Sequence, residues 1–195
     1  VTQEKEQFLN LLAELCSGIN QPQTKKIGRP EFPLADVIFC AAYKVYGTMS
    51  ARRFDTDLRI AEDYGFIQKK PHHNSVLRYF ENNALTPILK NLIVECSRPL
   101  VAIEEHFSAD STGFFAQRYD RWYSHKYGKE KQKKGWVKCH VVCGVHTNVV
   151  TAVEIRDQYA HDSGFLPVLL ETTTKYFTPK RFQPTKAISL RIIST

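Results

Sequence analysis

The chain has 195 residues, 43% hydrophobic and 24% charged, and its 27 Lys and Arg outnumber 20 Asp and Glu for a formal net charge of +7. This balance excludes disordered and fibrous classes and leaves room for one large or two small folded domains. No apolar run approaches the roughly 18 residues that cross a bilayer, and VTQEKEQF lacks the basic-then-apolar pattern of a signal peptide, so a cytoplasmic protein without a membrane partner is expected.

The first half reads helical. EKEQFLNLLAELCSGI places Phe8, Leu11, Leu12 and Leu15 at helical spacing, with Gly18 where a C-terminal cap would sit. Residues 19–33 follow without periodicity, carrying three prolines (Pro22, Pro30, Pro33) and three cations (Lys25, Lys26, Arg29). Composition makes this a basic linker, while Gly-Arg-Pro within it is also the kind of element that can lie in a narrow, negative minor groove. LADVIFCAAYKVYG predicts an apolar helix ended by Gly47. The next helix starts after Ser50 as cap candidate and turns Ala51, Phe54, Leu58 and Ala61 inward. A third begins at Asn74 with Val76, Leu77 and Phe80 inward. Its His73 and Arg78 give the pair a helix-turn-helix look, in which the second helix would enter the major groove. A plain helical bundle fits the same pattern. LTPILKNLIVECSRPLVAIEEHF supplies one more helix.

The character then changes. HFSADSTGFF reads as a short strand ending at Asp110, with Ser111, Thr112 and Gly113 leading out in a turn. Residues 117–138 hold eight Lys or Arg against two acids, a local net of 8 − 2 = +6, interleaved with Tyr119, Trp122, Tyr123, Tyr127 and Trp136. Cations that grip phosphate beside rings that stack on bases mark Arg118, Arg121, Trp122, Lys126, Lys129, Lys133 and Lys134 as DNA-contact candidates, alongside Lys25, Lys26, Arg29, His73 and Arg78. WVKCHVVCGVHTNVVTAVEI predicts a hairpin turning at HTN, where Asn148 takes the left-handed conformation. A helix follows, with Asp162 or Ser163 as its cap and Phe165, Leu169 and Leu170 buried.

Five cysteines, an odd number, suit reduced thiols. Cys139 and Cys143, near His140 and His146, invite a zinc reading. On a strand, however, the two thiols share a face about 13 Å apart, too far for one ion.

Together, ADSTGF, RWYSHKYGK, the hairpin text and HDSGFLPVLLE resemble, in order and spacing, the first half of the RNase H-like catalytic domain of DDE-type insertion-sequence transposases. GRPEFPLADVIFCAAYKVYG and PHHNSVLRYFENNALTPILKNLI likewise resemble the DNA-binding portion of that group. The resemblance implies an α+β chain: a helical DNA-binding region over 1–103 with its basic linker at 19–33, then an incomplete RNase H-like α/β domain over 104–180. It further implies double-stranded DNA, the terminal repeats of an element, as partner in a prokaryotic, nucleoid-associated setting. The implied chemistry is cleavage and strand transfer, with Mg²⁺ or Mn²⁺ held by two Asp and one Glu. Asp110 matches the first of those carboxylates, as catalytic residue and metal ligand.

In the family the second aspartate stands in a word resembling Ala-Asp-Lys-Gly-Tyr. Here the corresponding stretch, TPKRFQPTKAISLRIIST, contains no acid, and Glu171 is the last carboxylate. Codons permitted for RFQPTKAISL, read from the third base of the Arg181 codon, spell Val-Ser-Ala-Asp-Lys-Gly-Tyr-Leu-Ser. Residues 181–195 are therefore expected to be an out-of-frame tail. Such a chain would lack cleavage activity alone and expose part of its sheet, and its other role would be that of a DNA-binding remnant that occupies element ends, self-associates or pairs with an intact transposase. Glu154 and Asp157 read as a solvated strand-end pair, and His161 as a surface residue.

Overall fold

The computed structural model describes residues 2–20, 31–115, 136–157 and 164–184. They form two compact units, Val1–Leu92 and Ile93–Thr195. No described helix is long and apolar enough to cross a membrane. The whole is α+β: helices come first and a four-stranded mixed sheet follows.

The first unit contains α1 (Thr2–Ser17), α2 (Leu34–Gly47), α3 (Ala51–Asp63), α4 (His73–Tyr79) and the start of α5 (Leu85–Ser97), whose last turn tightens into a 3-10 segment, Arg98–Leu100. Apolar α2 lies at its centre, burying Ile38, Phe39, Cys40, Ala41 and Tyr43. It ends at Gly47 because Thr48 adopts a left-handed backbone (φ 49°) and returns its N–H to the Val45 carbonyl. Ser50 holds the N-cap position of α3 without a side-chain hydrogen bond, and Phe54, Leu58 and Ala61 are buried as expected. On α1, Leu12 is buried and Phe8 and Leu15 pack partly buried on the same cluster, joined by Leu9 and Cys16, whereas Leu11 is 66% exposed. The buried positions Leu9, Leu12 and Cys16 follow i, i+3, i+7 spacing. Gly18 follows α1 without a positive φ, so Ile19 closes the end by donating to the Cys16 carbonyl at 3.0 Å.

Helix α4 is short and starts one residue before the expected Asn74, because the His72 ring caps it by accepting the Asn74 N–H at 3.2 Å. Only Val76 of its expected apolar set is buried. Leu77 and Phe80 are 44% and 50% exposed, since a seven-residue helix turns one narrow face to α2 and α3. Residues 64–72 separate α3 from α4, a longer joint than the three or four residues of the compact helix-turn-helix.

The second unit is built on the order β3-β2-β1-β4, with β1 at His106–Phe115, β2 at Trp136–Gly144, β3 at Val150–Asp157 and β4 at Arg181–Pro184. Antiparallel pairing joins β1 to β2 and β2 to β3, and the turn between the latter contains Asn148 at φ 56°, as its sequence requires. Helix α6 (Leu166–Thr174) then carries the chain back across the sheet to β4, which pairs parallel with β1. Phe107, Ala109, Val142 and Ala152 on one sheet face pack with Leu169 of α6 and Phe177 beyond it. A bulge between Val142 and Cys143 admits Thr151, whose hydroxyl meets that of Thr173 at 3.0 Å and ties β3 to α6.

Strand β1 departs from expectation. It runs five residues past Asp110, so Ser111, Thr112 and Gly113 are strand and not a turn. The cause is its long register with β2, which pairs Ser111 with His140, Thr112 with Cys139 and Phe115 with Trp136. Helix α6 starts after Phe165 at its N-cap position, and Asp162 and Ser163 lie outside the described residues. Arg181–Pro184, the first residues of the stretch without acids, occupy the sheet as β4 and turn Phe182 toward the apolar cluster.

Candidate functional site

Strand alternation places Asp110, with Ser108 and Thr112, on the sheet face opposite α6. Asp110 is exposed, and its Oδ1 accepts the Ser111 N–H at 2.8 Å. The same face carries Val141, Cys143, Val153 and the exposed Phe114, Val137 and Ile155. On the parallel side, β4 pairs His106 with Arg181 and ends with Ala109 opposite Pro184, one step before Asp110. Asp110 is thus a carboxylate at mid-strand, on the central strand, beside the end of a parallel neighbour.

On the α6 side, Ser111 Oγ lies 2.6 Å from His140 Nδ1, and the buried His140 ring stacks on Phe165 with centroids 4.8 Å apart. The Arg156 guanidinium stands over the same Phe165 ring at 5.2 Å, and Glu154 faces His140 in register. Glu154 also approaches Arg156 at 3.9 Å, so it belongs to a packed cross-strand row beneath α6. His140 is therefore fixed by packing on the face away from Asp110.

A second polar cluster forms where β1 begins. Glu104 is 1% exposed, yet both of its carboxylate oxygens accept hydrogen bonds. Oε1 accepts the His106 N–H at 3.1 Å, while Oε2 accepts the His146 N–H at 3.0 Å, the Thr147 N–H at 2.8 Å and the Thr147 hydroxyl at 2.9 Å. Burial works to raise its pKa, but the Thr147 N–H and hydroxyl and the His106 and His146 N–H groups outweigh it, holding Glu104 below the usual glutamate value. Gly144 makes this approach possible: a Cβ there would stand 2.4 Å from Glu104 Oε2. Donor atoms of Glu104, His106 and His146 all lie within 4.8 Å of one another, the one such group of three among the described residues.

None of the five cysteines is joined in a disulfide, and burial raises the pKa of Cys139 and Cys143, the latter helped by the negative charge of Asp110. Neither joins His140 or His146 in a metal-sized group.

Of the expected DNA contacts, two are described. Arg78 is exposed on α4, and His73 is half-buried with Nδ1 4.0 Å from Asp55 Oδ1, an acid that also binds Lys70 at 2.6 Å. Lys25, Lys26, Arg29, Arg118, Arg121, Trp122, Lys126, Lys129, Lys133 and Lys134 lie outside the described residues, as does His161. The structure brings together Glu104, His106 and His146, a grouping the sequence reading did not find, since it weighed His146 only beside Cys139 and Cys143. Two of them sit as Glu-x-His at a strand start, but the third arrives from a turn some forty residues on, as its hydrogen bond across 42 positions records, and no spacing rule links the three.

Residues 102–183 match the family model described as the transposase DDE domain. No curated protein and no solved structure matches the chain significantly.

Proposed function

We propose, from the match of residues 102–183 to the family model described as the transposase DDE domain, that the chain is a transposition protein that binds the DNA ends of its element and, in the reading frame given, does not cut them. The observation that carries this reading is the position of Asp110. It stands on the central strand, next to the end of the parallel strand on which the family sets its second aspartate.

Two-metal cleavage needs several carboxylates converging on ions roughly 3.5–4 Å apart. Among the described residues, Asp110 joins no group of three potential ligands, and the chain has no acid after Glu171. The described residues do not assemble a two-Mg²⁺ centre, and no cleavage step is derived through one. The register of β4 supports the frameshift reading. If the frame slips back one base after Arg181, a valine, a serine, an alanine and an aspartate follow in that order. The valine replaces Phe182, which points toward the apolar cluster. The aspartate falls on the position after Pro184, the residue paired with Ala109, and Asp110 is the residue after Ala109.

Binding needs less than cleavage does. The net charge of +7 and the basic, aromatic-rich stretch 117–138 supply phosphate contacts and stacking rings. The test uses the purified chain, supercoiled plasmid carrying the element ends and Mg²⁺ or Mn²⁺. Expected are binding that weakens steeply with salt and no nicking. Nicking abolished by Asp110→Ala would show a complete active centre and overturn the incomplete reading. Absence of any salt-sensitive binding would overturn the DNA-binding reading.

A further inference from the structure

We propose that Glu104, His106 and His146 form a binding site for a transition-metal ion such as Zn²⁺, which clips the start of β1 to the β2–β3 turn. The site is independent of the function proposed above. Three observations carry it.

The donor set is the first. Two imidazoles and a carboxylate are the ligands of three-residue zinc sites, and imidazole selects Zn²⁺, Co²⁺ or Ni²⁺ over Mg²⁺, which prefers oxygen. The second is that His106 Nδ1 is buried without a hydrogen-bond partner. A buried ring nitrogen costs free energy unless something binds it, and a nitrogen of the same ring lies within 4.8 Å of the Glu104 and His146 donor atoms. The third is the carboxylate itself. A carboxylate offers about four acceptor positions. Oε2 is filled by three donors, whereas Oε1 receives a single N–H, that of His106, and keeps room for an ion.

Ligands about 2.0–2.2 Å from a tetrahedral ion lie about 3.3 Å apart. The group, whose donor atoms lie within 4.8 Å of one another, therefore contracts by at most about 1.5 Å to reach that spacing, and His146, whose side chain is exposed at the turn, can swing to do so. The His106 and His146 rings already meet edge to face with centroids 5.3 Å apart. The four hydrogen bonds to Glu104 serve as the outer shell that orients a ligating carboxylate, and solvent at exposed His146 supplies a fourth ligand. His106 and Asp110 share one sheet face four residues apart, about 13 Å along the strand, so the clip is separate from any Mg²⁺ at Asp110.

The experiment titrates the purified full chain with Co²⁺ and reads the visible d–d absorption, with Zn²⁺ as competitor. Expected is a band that saturates near one equivalent, is displaced by Zn²⁺ but not by Mg²⁺, and is lost in both His146→Ala and His106→Ala. Because His146 is exposed, His146→Ala keeps its metal-free unfolding midpoint while losing the rise in midpoint that Zn²⁺ gives the parent chain. No band with the parent chain overturns the proposal. So does a band that survives both substitutions, or one with the intense near-ultraviolet absorption of Co²⁺ bound to thiolate, which would place the ion on cysteines.

Discussion

The helical unit buries the carboxylates of Asp36 and Asp57 and the sheet unit that of Glu104, and Asp36 and Glu104 are driven in opposite directions. Asp36, in the first turn of α2, is 7% exposed and accepts the Gln68 N–H at 2.9 Å. There burial outweighs the backbone donors of Gln68 and Lys69, and the pKa of Asp36 rises. Glu104 is buried more deeply, yet four donors converge on it and its pKa falls. Burial alone does not set the protonation state of an interior acid; the number of N–H and O–H groups aimed at it does. The surroundings differ in the same sense. Among the described residues the helical unit rests on a cluster of fourteen buried apolar residues and the sheet unit on one of six, beside which the hydrogen bonds to Glu104 form a polar tie.

The largest expected effect comes from breaking that tie. Glu104→Ala strands buried donors of His106, His146 and Thr147 and should destabilise the sheet unit by about 3–5 kcal/mol. Gly144→Ala should approach that loss, because its new Cβ would collide with the carboxyl group at 2.4–2.7 Å. Both Trp122 and Trp136, the chain's two tryptophans, lie in the second unit. Tryptophan emission during urea unfolding therefore reports the sheet unit, while circular dichroism at helical wavelengths weights the other. Loss in the first signal with the second unmoved is the expected pattern.

In the helical unit the corresponding change is apolar. Leu9→Ala empties part of the cluster and should cost about 2–5 kcal/mol, seen in the helical signal and not in tryptophan emission.

Acid should separate the units more gently. The folded pKa of Glu104 lies below its unfolded value, so its contribution is complete above the ordinary glutamate range and is lost as pH falls through the depressed folded value. For Asp36 the folded pKa lies above the unfolded one. Its charged form costs stability above that raised value, and the cost is relieved as pH falls toward the ordinary aspartate range. On acidification, the sheet unit should weaken before the helical unit. Glu104→Gln should flatten the acid slope seen by tryptophan, and Asp36→Asn the opposite slope in the helical signal. Equal slopes in both signals would break the comparison. The smallest effect is expected at Leu11→Ala, within about 0.5 kcal/mol, since that side chain is 66% exposed.

How far the sequence is legible follows from the range of the forces involved. Helices α2 and α3 and the hairpin at Asn148 were readable because caps, apolar runs and turn residues act over a few positions. On α1 the spacing found Phe8, Leu12 and Leu15 on the core but also took in exposed Leu11 and left out buried Leu9, since two equally apolar residues two positions apart are told apart only by where the helix packs. Likewise, β1 outran its expected end because its length is set by pairing with β2, across a segment of twenty residues, 116–135, between the strands. Asp110 was found by its surrounding text, and its mid-strand place came from the register. The Glu104 cluster was invisible for a different reason: a buried acid needs donors, and these come from a turn distant in sequence.

The most direct test of the account is to sequence the coding DNA from the Phe177 codon through a few hundred bases past Thr195 and translate every forward frame. The account predicts that the frame starting at the third base of the Arg181 codon reads Val-Ser-Ala-Asp-Lys-Gly-Tyr, with its aspartate spanning the codons of Pro184 and Thr185, followed by a Glu-bearing continuation. Codons there that cannot spell that aspartate would contradict it. Residues 181–195 would then be in their true frame, and any second carboxylate beside Asp110 would have to come from elsewhere.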